Sequence, residues 1–554
     1  MKIKYILIVF TSLMAAGCDT LDTKIDTLFT EEQLASGYSR LYNLGYAPYS
    51  FIQSGFYALD SNIDAAKSDE AAYTKTVSSV KYFNEGTWNQ YNNPDDVYAN
   101  CYKGIRAANF FLDYSVNYKE QLYQNRDTLS DGGNDYRRSV QNIAWMRAEA
   151  HVLRAWFYFE LMKRYGGVPL VKEVLSPDEK SDLPRADFDD IVNYAVSEID
   201  YVLDSLQQLT WKSSSYSGYD GRFAKGSAMA LKSRILLYAA SPLHNPENDA
   251  EKWESAAKAA YDVIQLTQYS LDADYRALFL ETNAVTSNEV ILSYRSGSTN
   301  GPEKANYPIG TPGGNSGVTP SQNLVSAYEY KGTPDPADPY ANRDPRLAYS
   351  IVTNNSSWNG RTMQIYTGGD DDPAKANASR TGYYLKKFLL NNLDLTNDEK
   401  RIHNWIMFRY AEILLNYAEA MNEAYGPDDN KGYSMTAREA VNAVRSRTSV
   451  QMPAVDVAAG DKDEMRKKIK HERRIELAFE GHRFWDLLRW KDAEIYLNQD
   501  LKGISVMQTD NNSFNYREFT LGKRIFDASK MYLYPIPNTE IVKSNNILEQ
   551  NSNW

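Results

Sequence analysis

Residues 147–171, RAEAHVLRAWFYFELMKRYGGVPLV, constrain the fold of this chain more than any other stretch. Ile143, Met146, Ala150, Leu153, Phe157 and Leu161 recur at spacings that place them on one face of an α-helix. Gly166-Gly167 stops that helix and Pro169 follows it. Glycine suits the left-handed cap, and proline cannot continue the hydrogen-bond ladder. The apolar stripe of such a helix must be covered by a partner. Tyr98, Tyr102, Ile105, Asn109 and Leu112 supply one just upstream, with Asp95 or Asp96 as its cap.

The pattern recurs along the chain. Thr30 and Gln33 form a capping box ahead of Leu34, Tyr38, Leu41 and Tyr42. A second pair starts at Asp187 with Phe188, Ile191, Ala195, Ile199, Val202 and Leu206 on one stripe. It continues through Ala228, Leu231, Ile235 and Tyr238 and stops near Pro242. Trp253–Tyr261, Phe408–Ala424, Ala437–Arg447 and Met465–Trp490 predict further helices. Ala148, Ala155, Ala228, Ala418 and Ala440 would let paired helices approach closely. The expected fold is all-α: degenerate helical pairs, TPR-like but without a strict repeat, packed as one globular unit. They divide into an N-terminal half, 30–241, and a C-terminal half, 242–554.

The C-terminal half holds a long irregular insertion, residues 294–384. Its words GTPGGNSGVTP, KGTPDPADPY and TGGDDDP are turn chemistry. Tyr307, Tyr328, Trp358, Tyr366 and Tyr383 argue against simple disorder, so a binding role is expected of it.

At the N-terminus, Lys2 and Lys4 precede the apolar run Tyr5–Met14 and then Ala15-Ala16-Gly17-Cys18. A run of about ten residues is too short for a bilayer core of ~30 Å, so residues 1–17 predict a signal peptide. Small residues before a cysteine resemble a bacterial lipobox, in which Cys18 takes a diacylglyceryl group. Ordinary cleavage beside an incidental cysteine is the plainer alternative. Each buried CH₂ of a lipid is worth about 0.8 kcal/mol, so several acyl chains make a stable anchor. Asp19, Asp22 and Asp26 mark an acidic tether, residues 18–29.

Composition excludes more than it assigns. A formal charge of -11 lacks the basic footprint that nucleic acid needs. After Cys18 only Cys101 remains, so no intramolecular disulfide is available. No metal-ligand spacing, cofactor loop or catalytic motif stands out. Glu472, Glu476 and Glu480 form an i, i+4 row with Arg473, Arg474, Arg483 and Arg489 nearby, which favours ion pairing between packed helices over acid/base work. His471-Glu472 begins like a zinc-protease helix, but Ile475 stands where the second histidine is needed. The 42 tyrosines suit both helix packing and half-wet recognition surfaces.

Several longer words appear in order: YKGIRAANFFLD (Tyr102–Asp113), the 147–171 segment, TPSQNLVSAYEY (Thr319–Tyr330) and RDPRL (Arg343–Leu347). GYYLKKF (Gly382–Phe388), FRYAEILLNYAEAMNEA (Phe408–Ala424), AVNAVRSR (Ala440–Arg447), HERRIELAFEGHRFWDLLRW (His471–Trp490) and LYPIPNTEI (Leu533–Ile541) follow. Together they resemble the SusD/RagB family of outer-membrane nutrient-binding lipoproteins across nearly all of the mature chain. The resemblance implies a TPR-like helical protein, anchored through Cys18 to the outer membrane and facing the cell exterior. It implies a SusC-like TonB-dependent transporter as partner, an oligosaccharide or other small nutrient as ligand, no cofactor and no catalysis. Starch-binding members carry an aromatic in the loop before the TPSQNLVSAY-like word, where this chain has Gly313-Gly314-Asn315-Ser316. Asp64, Lys67, Asp69 and Glu70, near the other expected edge, are charged. The implied ligand is therefore a polar or charged glycan, or a nutrient that is no glycan. Two other readings stay open: a TPR-like scaffold for protein partners, and a glycoside hydrolase, which needs only two suitably spaced carboxylates.

The expected binding residues are Tyr307, Trp358 and Tyr366 as stacking rings, with Trp88 beside Asn89 and Asn92 as a second patch. Asn315 and Arg361 would hydrogen-bond hydroxyls. For each of these residues the alternative role is packing or pinning of a loop.

Overall fold

A computed structural model describes residues 37–175, 183–207, 210–211, 219–511 and 513–554. The signal peptide, Cys18, the acidic tether and the capping box at Thr30 lie outside the described residues.

Helices dominate. In the N-terminal half they are α1 (Tyr38–Tyr46), α2 (Tyr98–Tyr114), α3 (Asn134–Tyr165), α4 (Phe188–Val202) and α5 (Lys225–Ala240). The C-terminal half adds α6 (Ala250–Ile264), α7 (Tyr410–Tyr425), α8 (Ala437–Arg445), α9 (Lys462–Glu476) and α10 (Arg483–Arg489). Chain neighbours pack together: α2 on α3, α3 on α4, α5 on α6, and α7 on both α6 and α8. All five alanines expected at crossings are buried. At the α2–α3 crossing, a Cβ on Gly104 would stand 2.4 Å from the Phe157 ring, so only glycine lets these two helices meet there.

The caps follow local chemistry. The Asp96 carboxylate accepts the Tyr98 amide at 2.9 Å at the start of α2, while Asp95 turns inward to Lys67 and Arg164. The α3 helix ends at Gly166, whose φ of 70° and N–H to Met162 O at 3.0 Å close the last turn.

Strands qualify the all-α expectation. Among the described residues they form five two-stranded antiparallel pairs. The principal ones are β1 (Ala71–Tyr73), β2 (Val290–Thr299), β3 (Val318–Pro320), β4 (Arg401–Arg409), β5 (Leu501–Gln508) and β6 (Phe514–Gly522). Pairing of β2 with β4 runs from Val290 opposite Arg409 to Thr299 opposite Arg401, so residues 300–400 leave and return at adjacent strand ends. Phe408, expected in a helix, lies in β4 instead. The predicted helix Met465–Trp490 is broken into α9 and α10, with Phe479 at φ 66° and Gly481 at φ 77° between them. Side chains capture the freed carbonyls at the break: Tyr275 and Arg409 donate to Glu476 O at 2.8 Å each, and Lys387 donates to Ala478 O at 2.9 Å.

The insertion is ordered rather than structureless. It contributes β3 to the pair with β1 and carries short helices at Gly301–Asn306, Gln322–Val325 and Arg346–Ser350. Tyr307, Tyr328, Trp358 and Tyr383 all join the main hydrophobic core.

The acidic row is structural, but its partners differ from the arginines adjacent in sequence. Arg346 donates to Glu472 at 2.5 Å and to Glu476 at 2.9 Å. Arg409 and Arg447 reach Glu476 at 2.7 and 2.8 Å, and both also bind Glu289. Arg445 binds Glu472 at 2.8 Å, and Lys387 binds Glu480 at 2.8 Å. Arg473 and Arg489 turn instead to Asp486, whereas Arg474 and Arg483 turn to Asp69. Burial alone would raise the Glu476 carboxyl, but Arg447, Arg409 and Arg346 outweigh it and hold the group well below the usual range. Burial and the neighbouring Asp69 carboxylate push Glu70 the other way, to about 8.

Two outcomes follow for stability. Glu476→Gln leaves buried guanidiniums short of a counter-charge, and denaturant unfolding should show a loss of about 3–5 kcal/mol; a loss below about 1 kcal/mol would refute this role for Glu476. For Glu70, the folded value of about 8 lies above the ordinary glutamate value of 4.5. The folded state therefore holds a proton that the unfolded chain releases. The resulting stabilisation is complete below about pH 4.5 and is lost as pH rises through about 8. Between about pH 5 and about pH 9 the melting temperature of wild type should fall more than that of Glu70→Gln; parallel curves would refute the assignment.

Candidate functional site: an aromatic platform on the insertion

The structure divides the expected binding residues into interior and surface. Tyr307 is fully buried, its hydroxyl donates to Leu390 O at 2.5 Å, and its ring meets Trp358 edge-on at 5.3 Å. Trp358 is 5% exposed and its indole N–H donates to Asn391 Oδ1 at 2.6 Å. Trp88 packs among Phe83, Tyr534 and Trp554 with centroids 4.6–5.5 Å away. None of these three rings offers a free face. They fill the core because a large apolar ring gains most when fully covered and its polar atom finds a partner.

Polar candidates are largely committed as well. Arg361 makes a bidentate pair with the fully buried Asp371 at 2.6 and 2.8 Å, which pins the loop between them. Asn315 is exposed, and its amide donates to Lys304 O at 2.9 Å. Asn89 and Asn92 exchange backbone hydrogen bonds of 3.1 Å across a tight turn. The ring this turn presents to water is Tyr91, 75% exposed. Asp64, Lys67, Asp69 and Glu70 likewise serve the interior, with the Lys67 ammonium lying 5.0–5.4 Å from the rings of Phe83, Phe484 and Trp485.

Tyr366 is different. It is half-buried, and its ring lies 5.4 Å from Phe514 at 40°. Phe514 and Tyr516 sit two apart on β6, hence on one face of the hairpin, with centroids 6.4 Å apart. Tyr340 meets Tyr516 edge-on at 5.5 Å and is backed by the buried Tyr383 at 6.0 Å. Tyr340, Tyr366, Phe514 and Tyr516 are each half-buried. Burial raises the hydroxyls of Tyr340 and Tyr516, and that of Tyr340 donates to the Tyr383 hydroxyl at 3.4 Å. Asp338 accepts the Tyr340 amide at 2.9 Å and puts a carboxylate beside these hydroxyls.

This arrangement suits a ligand with apolar faces and hydroxyl rims: rings for the faces, and hydroxyls and a carboxylate for the rims. Sequence reasoning found Tyr366 but not Tyr340, Phe514 or Tyr516. The usable signal was the alternation Phe514, Tyr516 in a hairpin far outside the insertion, which lines up with the insertion only after folding. Among the described residues no group of His, Cys, Asp and Glu could hold a metal ion, and no helix is long and apolar enough to cross a membrane.

Known proteins agree with this architecture. The sequence profile of the SusD family matches residues 286–554, and a second profile, "Starch-binding associating with outer membrane", matches residues 21–237. A SusD-like protein of Formosa agariphila is 29% identical over 62% of this chain and 66% of its own length, just under two thirds. The crystal structure of a SusD-like protein from Bacteroides fragilis superposes with a TM-score of 0.76 at 27% identity, covering 96% of this chain and 99% of its own. A second Bacteroides fragilis structure, described as a SusD-like carbohydrate binding protein, has a TM-score of 0.74 at 25% identity and covers 93% of this chain and 99% of its own. Both halves of the chain match the family and the fold matches over nearly its whole length, so the chain belongs to the SusD/RagB family.

Proposed function

We propose that this protein binds an oligosaccharide on the platform of Tyr340, Tyr366, Phe514 and Tyr516 at the outer surface of the outer membrane. Cys18 carries the lipid that tethers it there, and a SusC-like TonB-dependent transporter receives the ligand. The observation that carries the reading is the cluster of four half-buried aromatic residues, where the insertion meets the β5–β6 hairpin. The carbohydrate-binding relative in Bacteroides fragilis supports the ligand class. A shallow platform leaves much of the ligand wet, so the affinity is on the order of micromolar or weaker.

Calorimetry against a glycan library tests the platform. Tyr366→Ala combined with Tyr516→Ala should weaken binding at least tenfold while the melting temperature changes little. Unaltered affinity in a folded double variant would move the site elsewhere. Trp358→Ala should instead lower stability, by about 3–5 kcal/mol for a buried tryptophan. The anchor has a separate test: Cys18→Ala should abolish acyl labelling and release the protein from the membrane fraction. Membrane retention without the cysteine would rule out lipidation at Cys18.

A further inference from the structure

At the far end of the same hairpin is a pocket of about 290 Å³ with an unusual charge balance. Lys75, Lys81, Arg380, Lys523 and Arg524 line it, and the only carboxylate lining it is that of Glu85. Lys75 and Lys523 are exposed, and neither they nor Lys81 and Arg380 form an ion pair among the described residues. Lys81 lies 5.4 Å from the Tyr82 ring, and Arg380 makes only a long contact of 3.5 Å to Tyr73 O. Two acids outside the lining are already engaged: Asp60 accepts the Val80 amide at 3.2 Å, and Asp69, whose charge Arg524 feels, pairs with Arg474 and Arg483.

The floor of the pocket is preorganised. Arg524 is 6% exposed, and its terminal nitrogens are held by the carbonyls of Ser68, Ala66 and Ala71. Its Nε and the Oδ1 of Asn84 are buried without a partner. Concentrating positive charge in a cleft of a chain whose formal charge is -11 also focuses potential where an anion would enter.

We infer that this pocket receives an anionic substituent, a sulfate or carboxylate, of the glycan that the platform binds. The inference rests on the glycan-binding reading and names the class of glycan. Tyr516 and Gly522 are six residues apart on β6, which at about 3.3 Å per residue puts the platform and the pocket roughly 20 Å apart along one strand. An extended acidic oligosaccharide would reach both.

The test measures binding of dextran sulfate, polygalacturonate and neutral glycans to the purified protein. The variants are the triple Lys75→Ala/Lys81→Ala/Lys523→Ala and the double Tyr366→Ala/Tyr516→Ala. All three lysines are at the surface or half-buried, so melting temperature should hold. At least one anionic polymer should bind wild type, weaken as salt rises, and lose at least tenfold in the triple variant. Failure of both anionic polymers to bind, or binding within twofold in the triple variant, overturns the pocket assignment. If neutral glycans bind throughout in that event, the platform reading survives. Anionic binding that is lost in the triple variant but kept in the tyrosine variant overturns the platform and leaves the pocket. Inorganic sulfate, or phosphatidylglycerol vesicles, binding as tightly as the polymers and with the same lysine dependence would overturn the glycan assignment in favour of a free anion or a lipid headgroup.

Discussion

The carboxylate of Glu476 is the point on which the architecture depends. It is fully buried at the end of α9 and meets Arg346 from the insertion, Arg409 from the end of β4, and Arg447 just beyond α8. Glu289 completes the lattice from the residue before β2 by pairing with both Arg409 and Arg447. Buried ion pairs add little net stability compared with apolar packing, because desolvation offsets their attraction. Their effect is on geometry. An arrangement that left one guanidinium unpaired would be heavily penalised, so five segments distant in sequence can assemble in essentially one way.

That constraint explains how a loop-rich insertion becomes a rigid surface. The β2–β4 ladder holds its two ends together, Arg346 locks its middle to α9, and β3 ties it to the N-terminal half through β1. Tyr307 and Trp358 pin it from beneath, and the Arg361–Asp371 pair closes a turn within it. With so many attachments, little conformational freedom is left to be lost when the surface is occupied. The β5–β6 hairpin then lies against it through Ile504, whose amide donates to Thr381 O at 2.8 Å. The aromatic platform and the cationic pocket lie on this one composite surface.

Aromatic content alone misidentified which rings face water. Tyr307, Trp358 and Trp88 occur among Gly, Pro and Asn, a setting that suggests exposed loop tips, yet all three are buried. Their polar atoms find partners inside, at Leu390 O and Asn391 Oδ1 for the first two, so burial costs them no hydrogen bond. Tyr366 carries no local mark that distinguishes it from them. Its half-exposure is decided by Phe514, which arrives from a hairpin at the other end of the chain.

What the sequence by itself determined is whatever short-range chemistry controls. The stripe through α3, its stop at Gly166, the start of α4 after Asp187 and the structural role of the 472–480 acids were all legible, because periodicity, caps and i, i+4 neighbours act within a few turns of chain. Family membership was legible for the same reason: its words are scaffold segments. Only the tertiary structure decided which arginines meet Glu476, why the helix expected over residues 465–490 breaks at Phe479, and which aromatics surround the candidate site. Those outcomes depend on contacts between residues scores or hundreds of positions apart, such as Arg346 with Glu472 and Tyr340 with Tyr516. No local pattern encodes such a contact, since the partner is chosen by the close packing of the whole core.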